Sequence, residues 1–446
     1  MIYMRKSTEN PEIFKRRRKK VIAKLKDELN GAALLVAAHP EQFRNDDVQH
    51  FYRQDSNMYY LTGFEEPESF LLIRPGQTPE TVLFVREKNV ERETWDGFRF
   101  GAETTKKEFL IDEVYTIDKF EEKSVELLKG FEELFYRLYK NPEADEKIQK
   151  VLINLKRAHG RTGYGLLTIK DADTLLGDFR LKKDEDDLVN LRKACQITAD
   201  AHMVAMKFVK PGVNERQVQA VIAHEFYTNG SARVGYPYII ASGASATTLH
   251  YNFNDQVCKN GDLLLIDAGA EYNYYSGDIT RTFPVNGKFS AAQKKVYQGV
   301  LNIQKEIMAT IKPGIYFKDL HKMGEDKLTD LMFELGLLSG KKEDVMKANE
   351  HRRYYPHGIG HWLGMDVHDA GLYFIKGEPR PIEIGMCFTV EPGLYIPVDD
   401  KSAPEELRGI GVRIEDNIVV TANGCDNLTF AAPKEIDEIE KLMAQN

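Results

Sequence analysis

Short apolar runs separated by turn residues mark the first third of the chain. Ala33 to Ala38, Phe70 to Ile73 and Thr81 to Val85 have the length and composition of β-strands, and turns that contain proline follow the first two. A helical stretch around Glu121 to Leu128 and a last strand near Gly163 to Ile169 complete the pattern. This mixture of elements predicts an α/β domain.

A helical periodicity begins after the charged segment 181–187. Its apolar and small residues recur every three or four positions and can share one face: Leu188, Leu191, Cys195, Thr198, His202 and Ala205. The acidic residues before it lie where a helix N-terminus favours negative charge, and Pro211-Gly212 ends the helix. We place the domain boundary just before this helix, which gives domains of residues 1–180 and 181–446.

A short motif that begins Lys-Pro-Gly occurs twice after this helix, each time between two predicted helices. Lys210-Pro211-Gly212-Val213 follows one predicted helix and precedes another, and Lys312-Pro313-Gly314-Ile315 does the same 102 residues later (312 − 210). That interval is far longer than the period of solenoid repeats. It predicts a domain built from two related halves, with the chance recurrence of a common helix stop as the alternative.

Composition and charge exclude several classes of protein. The 446 residues are 42% apolar and 29% charged, with a net charge of −8, so a nucleic-acid partner is not expected. No apolar run approaches the roughly 20 residues of a membrane span. The cysteines are scattered, which favours a reducing, cytoplasmic compartment. The basic run from Arg16 to Lys20 lies within a helical pattern and is interpreted as its exposed flank.

Two aspartates give the first sign of chemistry. A buried-strand pattern ends at Asp267, and Asp278 follows within the segment GDITRTF. If the two segments form a hairpin that turns at Tyr272-Asn273, residue 267 pairs with residue 278 and the two Cβ atoms lie about 5 Å apart. Like charges so placed destabilise a sheet unless a cation lies between them. The pair therefore predicts a metal site, with two surface aspartates near a turn as the alternative.

Three of the chain's 11 histidines, His357, His361 and His368, fall within 12 residues. Glycines interleave with them, and glycine at this density breaks helices and lets the backbone approach a ligand closely. The spacing of the first two histidines is therefore not taken as a helical metal pair. The cluster favours a functional site over isolated packed or surface histidines.

Two glutamates follow on apolar runs, Glu391 in CFTVEPG and Glu415 in VRIEDN. Strand alternation places Val412 and Ile414 on one face and Arg413 with Glu415 on the other. An internal arginine–glutamate ion pair is the alternative for either glutamate alone.

Together these segments supply four carboxylates and at least one imidazole. A donor set of mostly oxygen with one nitrogen suits Mn²⁺, Co²⁺ or Fe²⁺, and Zn²⁺ less selectively, while a structural zinc site lacks cysteines at ligand spacing. Bridging carboxylates can hold two ions roughly 3.5–4 Å apart, which generates hydroxide at neutral pH. The donor set can therefore hold two divalent metal ions, and it leaves Mn²⁺, Co²⁺ and Fe²⁺ open.

The run from His357 to Asp369 resembles the proline-peptidase signature of the pita-bread metallopeptidases, which include aminopeptidase P, prolidase and methionine aminopeptidase. The segments LLIDAG, GDITRTF, TVEPG and VRIEDN are similar to the four carboxylate motifs of that fold, in the same order and spacing. The segment FYRQDSNMYYLTG at 51–63 is similar to the N-terminal domain of aminopeptidase P. The resemblance implies an α/β N-terminal domain followed by an α+β pita-bread (creatinase/aminopeptidase) catalytic domain.

The resemblance also implies which residues hold the metals. Two ions would be bound by five residues: Asp267, Asp278, His361, Glu391 and Glu415. Asp278 and Glu415 would bridge the ions, His361 and Glu391 would serve one of them, and Asp267 would serve the other.

Four further residues match positions around the metals in this family: His250, His357, His368 and Arg413. His250 and His357 would position the substrate, and Arg413 would orient the ligands. His368 would stabilise the oxyanion. Glu391 would carry a proton to the departing proline nitrogen, which has no hydrogen of its own in the tertiary amide.

The implied activity is hydrolysis of the Xaa-Pro bond, which releases the N-terminal residue from peptides with proline second. A prolidase, which needs a dipeptide, shares the same ligands and is the main alternative; methionine aminopeptidase and a non-catalytic peptide-binding module fit less well. The family tends to form dimers or tetramers, so a homo-oligomer is expected, and residues Trp95 to Gly101 could reach a neighbour's cleft. The hairpin turn often carries glycine where this chain has Tyr274, but Asn273 tolerates positive φ, so we expect the turn to be kept.

Overall fold

The computed structural model of the protein describes residues 9–29, 31–163 and 167–445. Its internal contacts divide the chain between Phe179 and Arg180 into two compact units, called unit 1 and unit 2 below. Among the described residues, no helix is both long and apolar enough to cross a bilayer.

Unit 1 is an α/β unit around a mixed sheet whose described strands run in the order β6-β5-β4-β1-β7-β8, with β2 and β3 forming a separate hairpin. The strands are β1 (Ala33–Ala37), β2 (Phe43–Asn45), β3 (Val48–Gln49), β4 (Phe70–Ile73), β5 (Thr81–Val85), β6 (Glu113–Thr116), β7 (Glu133–Phe135) and β8 (Thr168–Lys170). The helices are α1 (Pro11–Glu28), α2 (Ser56–Thr62), α3 (Val90–Asp96), α4 (Gly101–Glu108), α5 (Phe120–Leu127) and α6 (Pro142–Thr162), and α7 (Asp173–Leu181) follows.

The predicted elements of unit 1 are present. β4 and β5 have the predicted bounds, β1 is one residue shorter, and α5 is displaced by one residue. The last predicted strand is β8, which begins later than expected; residues 164–166 of that prediction lie outside the described residues.

The interpretation of the basic run as an exposed flank of α1 is wrong for two of its members. Arg17 and Arg18 are 1% and 2% exposed. The Arg18 guanidinium donates to the backbone oxygens of Leu61 and Phe109 at 2.8 and 3.1 Å, and Arg17 lies over the Tyr60 ring at 4.4 Å. Carbonyls left free where α2 and α4 end are natural partners for a buried guanidinium, which can only donate.

Unit 2 is an α+β unit. Its helices are α8 (Glu185–Phe208), α9 (Glu215–Thr228), α10 (Ala291–Thr310), α11 (Phe317–Glu334), α12 (Lys342–Lys347) and α13 (Ile436–Met443). Its strands are β9 (Arg233–Val234), β10 (Ile239–Ser242), β11 (Leu263–Ala268), β12 (Ala270–Tyr272), β13 (Tyr275–Ser276), β14 (Ile279–Pro284), β15 (Phe374–Ile375), β16 (Glu378–Pro379), β17 (Cys387–Val390), β18 (Gly393–Tyr395), β19 (Gly411–Arg413), β20 (Asp416–Thr421) and β21 (Gly424–Asn427).

The predicted duplication is visible in unit 2. α8 and α9 flank the first Pro-Gly turn, and α10 and α11 flank the second; the glycines have φ of 95° at Gly212 and 93° at Gly314. Each helix pair packs near an antiparallel sheet, with strand order β10-β11-β14 in the first half and β17-β20-β21 in the second. In α8 the predicted face is buried from Leu191 to Ala205, and Leu188 is half-buried.

The aspartate hairpin is present with a different register. Asp267 pairs with Thr280 and not with Asp278, because the turn is formed by Asn273 and Tyr274, one residue later than predicted. Both turn residues have positive φ, 46° and 70°, as the tight turn of a two-residue hairpin requires. Moving the turn by one residue shifts each partner by two, so Asp267 and Asp278 keep the face that alternation gave them but are not directly opposite.

Candidate metal centre

The ladder of the first half is interrupted where its aspartates lie. β11 pairs with β14 as far as Ala268, and pairing resumes between β12 and β13 at Glu271. Asp278 falls in this gap. Gly269 lies in the gap too, and a Cβ atom there would meet the Gly277 oxygen at 1.8 Å, so only glycine fits. The gap brings the two backbones close together around Asp278, next to the last paired residues of β11, which include Asp267.

The ladder of the second half has a matching gap. β17 pairs with β20 as far as Val390, and β18 pairs with β19 from Gly393 onward in the same register. Glu391 and Glu415 therefore fall opposite each other within the gap. Their N–H groups leave the ladder: that of Glu391 donates to the Ile359 oxygen at 2.9 Å, and that of Glu415 to the oxygen of Thr280 at 3.1 Å.

These two gaps face one cavity of about 540 Å³. Every residue that the sequence nominated for the site lines it: His250, Asp267, Asp278, His357, His361, His368, Glu391, Arg413 and Glu415. The sequence separates the first and last of these by 165 residues (415 − 250), and the fold brings them together.

The donor atoms lie at distances that suit a cation. Asp278, His361 and Glu415 each offer an atom within 4.8 Å of the other two. The His361 Nε2 atom lies 3.3 Å from Asp278 Oδ2 and 3.6 Å from Glu391 Oε1. Asp267, Asp278 and Glu415 are 8%, 4% and 2% exposed. Several carboxylates buried around one imidazole require compensating positive charge, so this donor set fits divalent metal ions bound by oxygen and nitrogen.

Burial and mutual repulsion change the proton affinity of these groups. Burial raises the pKa of Glu391 to about 7, although the charges of His361 and Arg413 lower it. Burial, together with the charges of Asp278 and Glu391, raises the pKa of Glu415 well above its ordinary value, and burial also raises the pKa of Asp278. Although burial lowers it, contact with Asp278 and the charge of Glu391 raise the pKa of His361 to about 9. A bound cation would reverse this pattern, since it favours the ionised carboxylates and the neutral imidazole.

Two more histidines of the cavity, His357 and His368, are held as neutral groups. Burial and the charge of Arg413 lower the pKa of His357 to about 3, and burial and the charge of His361 lower the pKa of His368 to about 4. His357 is fixed through both ring nitrogens, with Nε2 2.8 Å from the Tyr395 hydroxyl and Nδ1 2.7 Å from the Gly358 oxygen. The ring centroids of His368 and His361 are 4.0 Å apart.

Arg413 and Tyr236 hold the aspartates. The Arg413 Nη2 atom donates to Asp267 Oδ2 at 2.7 Å. The Tyr236 hydroxyl contacts Asp267 Oδ1 at 2.6 Å and Asp278 Oδ1 at 2.5 Å, so one phenol connects both carboxylates. Sequence reasoning missed Tyr236, because a tyrosine in the segment GYPYII carries no chemical signal by itself.

Thr280 was also missed, and here a signal existed. Its hydroxyl donates to Glu415 Oε2 at 2.7 Å and accepts from Arg413 Nε at 3.1 Å. Thr280 lies two residues after Asp278, so strand alternation places both on one face. The same alternation that grouped Arg413 with Glu415 could have added this threonine.

Comparison with known proteins agrees with this geometry. The profile described as metallopeptidase family M24 matches residues 189–422, and the profile described as aminopeptidase P, N-terminal domain, matches residues 14–136. The Xaa-Pro aminopeptidase of Haemophilus influenzae is 38% identical over 433 residues, which cover 97% of each chain.

Solved structures give the same picture. Pseudomonas aeruginosa aminopeptidase PepP is 40% identical with a TM-score of 0.93, over 100% of this chain and 99% of the other. Escherichia coli aminopeptidase P is 36% identical with a TM-score of 0.92, over 98% and 99%, and its structures include a zinc-substituted product complex, a substrate complex and one with the inhibitor Pro-Leu. The chain belongs to metallopeptidase family M24 and, within it, to the Xaa-Pro aminopeptidases.

Proposed function

We propose that this chain hydrolyses the bond between an N-terminal residue and a following proline, releasing that residue from peptides. The observation that carries the proposal is the convergence of four carboxylates and His361 on one cavity in a chain of this family. The N-terminal domain, residues 1–180, would be of the aminopeptidase P type, and residues 181–446 would form the pita-bread catalytic domain.

The metal ligands would be the five residues that the resemblance names: Asp267, Asp278, His361, Glu391 and Glu415. Asp278 and Glu415 would be shared between two ions, and donor atoms of both lie within 4.8 Å of each other and of His361. Two divalent ions supply a hydroxide at neutral pH and polarise the substrate carbonyl. Mn²⁺ is the favoured ion, because the donor set is mostly oxygen. The same set also admits Co²⁺, Fe²⁺ or Zn²⁺.

Glu391 would move the proton. A carboxylate that a cation keeps ionised can accept a proton and return it, and the Glu391 Oε1 atom lies in the cavity, 3.6 Å from His361 Nε2. The proton would go to the proline nitrogen, which must gain one before it leaves as an amine. The side chain is 17% exposed to the cavity, so it can reach a bound peptide.

The three histidines of the cavity other than His361 would bind and position the substrate. His368, uncharged at neutral pH because its pKa is about 4, would donate a hydrogen bond to the oxyanion without bringing a second charge close to the metals. His357, held by Tyr395, and His250 would position the peptide. Arg413 would keep the Asp267 carboxylate correctly oriented through their 2.7 Å contact.

We also propose a homo-oligomer, a dimer or tetramer, in a cytoplasmic setting. Exposed apolar side chains in unit 1, with Trp95 at 80% and Phe51 at 99%, support an association surface. Buried thiols at Cys195, Cys258 and Cys387 fit a reducing compartment. Light scattering on the purified protein tests the assembly.

The decisive experiment removes metal with a chelator, restores Mn²⁺ and measures release of the first residue from an Xaa-Pro-Xaa tripeptide and an Xaa-Pro dipeptide. We expect metal-dependent cleavage of the tripeptide. Cleavage of the dipeptide alone would instead assign a prolidase. If neither substrate is cleaved while Mn²⁺ is bound, the protein would instead be a peptide-binding module.

A further inference from the structure

The two Pro-Gly turns lie 102 residues apart, and the correspondence between them extends into the helices before them. Nine residues before Pro211, α8 carries His202, and nine residues before Pro313, α10 carries Gln304. Both residues are 0% exposed. Each half of unit 2 therefore buries one polar side chain at the same position of its first helix.

Gln304 contacts the strand ends that carry the two glutamates. Its Nε2 group donates to the Val390 oxygen at 3.1 Å and to the Ile414 oxygen at 3.0 Å. These are the carbonyls that directly precede Glu391 and Glu415. One amide group thus holds both strands at the point where the side chains turn toward the cavity.

Lys434 determines which way this amide points. The Lys434 Nζ atom lies 2.9 Å from Gln304 Oε1 and 2.5 Å from Asp416 Oδ2. A lysine can only donate, so the amide oxygen faces Lys434 and both N–H bonds face the two carbonyls. The orientation of Gln304 follows from this network.

The gap in the ladder explains why a side chain is needed here. Pro392 lies opposite Ile414 and has no N–H group to donate, so the Ile414 oxygen must find a donor outside the ladder. The first half meets the same requirement with His202, whose Nε2 lies 3.2 Å from the oxygen of Ala268, directly after Asp267. Both helices therefore support their carboxylates through the backbone.

We propose that Gln304 is a positioning residue for the metal centre: it fixes the separation of the Glu391 and Glu415 backbones and so sets the affinity for metal. His202 gives the aspartates of the first half equivalent support. The inference rests on the proposed function, because it assumes that the two glutamates are metal ligands. Gln304 itself touches neither metal nor substrate.

The test compares Mn²⁺ binding to chelator-treated protein by isothermal titration calorimetry. Gln304→Met keeps the shape and removes the donors, and Gln304→Glu keeps the contact with Lys434 but cannot donate to the carbonyls. We expect roughly 10- to 100-fold weaker Mn²⁺ binding in both, the range usual for groups that support metal ligands. Gln298→Met, on the same helix with its amide bonded to Asn302, is the matched control and should bind as the unmodified protein does.

A second measurement separates positioning from a folding defect. At saturating Mn²⁺, kcat of Gln304→Met on the tripeptide should return to within a few fold of the unmodified value, whereas misfolded protein would not recover. Unchanged Mn²⁺ affinity in whichever Gln304 variants fold would overturn the inference alone. Absence of Mn²⁺ binding by the unmodified protein would instead overturn the proposed metal centre, and this inference with it.

Discussion

The two halves of unit 2 present carboxylates to one cavity from interrupted ladders, but with side chains of different length. In the first half Asp267 and Asp278 are short and offset by the hairpin register, and one phenol, Tyr236, connects them. In the second half Glu391 and Glu415 are longer and lie opposite each other. Each glutamate has one more methylene group than an aspartate, and this extra length suits the proposed role of Glu391 in moving a proton as well as holding a metal.

The halves are also connected to each other. Arg413 of the second half donates to Asp267 of the first, and Thr280 of the first donates to Glu415 of the second. The Asn417 amide of the second half bonds both to the N–H group of Asp278, at 2.8 Å, and to its carbonyl. A duplicated framework with exchanged contacts fixes these carboxylates more firmly than either half could alone.

We expect proton transfer to depend on the second half only, through Glu391. Glu391→Gln should lower kcat by about 100- to 10,000-fold at saturating Mn²⁺, because an amide cannot carry the proton to the proline nitrogen. Steady-state kinetics on a tripeptide, with metal content measured in the same sample, checks this. Glu405→Gln, at an exposed position of the same unit, is the control; near-normal turnover in fully metallated Glu391→Gln would refute the role.

Substitution of the histidines in the two halves should change different kinetic constants, kcat in one case and KM in the other. His368→Ala, in the second half, should lower kcat about 100-fold or more, because it removes an oxyanion donor. His250→Ala, in the first half, should mainly raise KM, because it removes a contact that positions the substrate. Measurement of kcat and KM for both variants on one peptide series tests this difference. An equal fall in kcat in the His250 and His368 variants would contradict it.

The stability of metal-free protein should depend on pH through Glu391. Its pKa is raised to about 7 in the folded state, so its contribution to stability is present below the unfolded value near 4.5 and is lost as pH rises to 7. As pH rises from 4.5 to 7, the free energy of unfolding of metal-free Glu391→Gln should therefore increase by up to roughly 3 kcal/mol relative to that of the unmodified protein. Urea unfolding of chelator-treated proteins at several pH values measures the difference, and a difference that does not change with pH would exclude this explanation.

The smallest effect is expected at Tyr236, the phenol that connects the two aspartates of the first half. Tyr236→Phe should weaken Mn²⁺ binding about 10-fold while the protein remains folded, because it removes one hydroxyl from two carboxylates. Calorimetric titration checks this, with Tyr227→Phe, at an exposed position of α9, as control. An unchanged affinity would show that the backbone supports of Asp267 and Asp278 suffice.

Local pattern was enough to predict much of the framework. The bounds of β4 and β5, the buried face of α8 and the two Pro-Gly turns follow from the spacing of apolar, proline and glycine residues within short windows. The candidate site residues could also be predicted from the sequence, because histidine and carboxylate side chains at the ends of apolar runs are unusual.

Register, in contrast, depended on a choice between neighbouring turns. Turns at residues 272–273 and 273–274 keep the same alternation, so the pattern of buried positions cannot separate them. The structure selects Asn273 and Tyr274, both with positive φ, and buries Tyr274 to 2% exposure beneath the guanidinium of Arg233. A favourable tertiary contact thus offsets backbone strain at a bulky residue.

The sequence by itself determined which side chains can do chemistry here and the elements that carry them, because those signals are local. The tertiary structure alone decided that Arg18 is buried, that Tyr236 connects two aspartates and that Gln304 holds the backbones of two glutamates. Each of these contacts joins residues 31 to 110 positions apart, and their hydrogen bonds exist only once distant elements pack. No periodicity within a short window records such a partner, and for that reason the supports of the site became visible only in the fold.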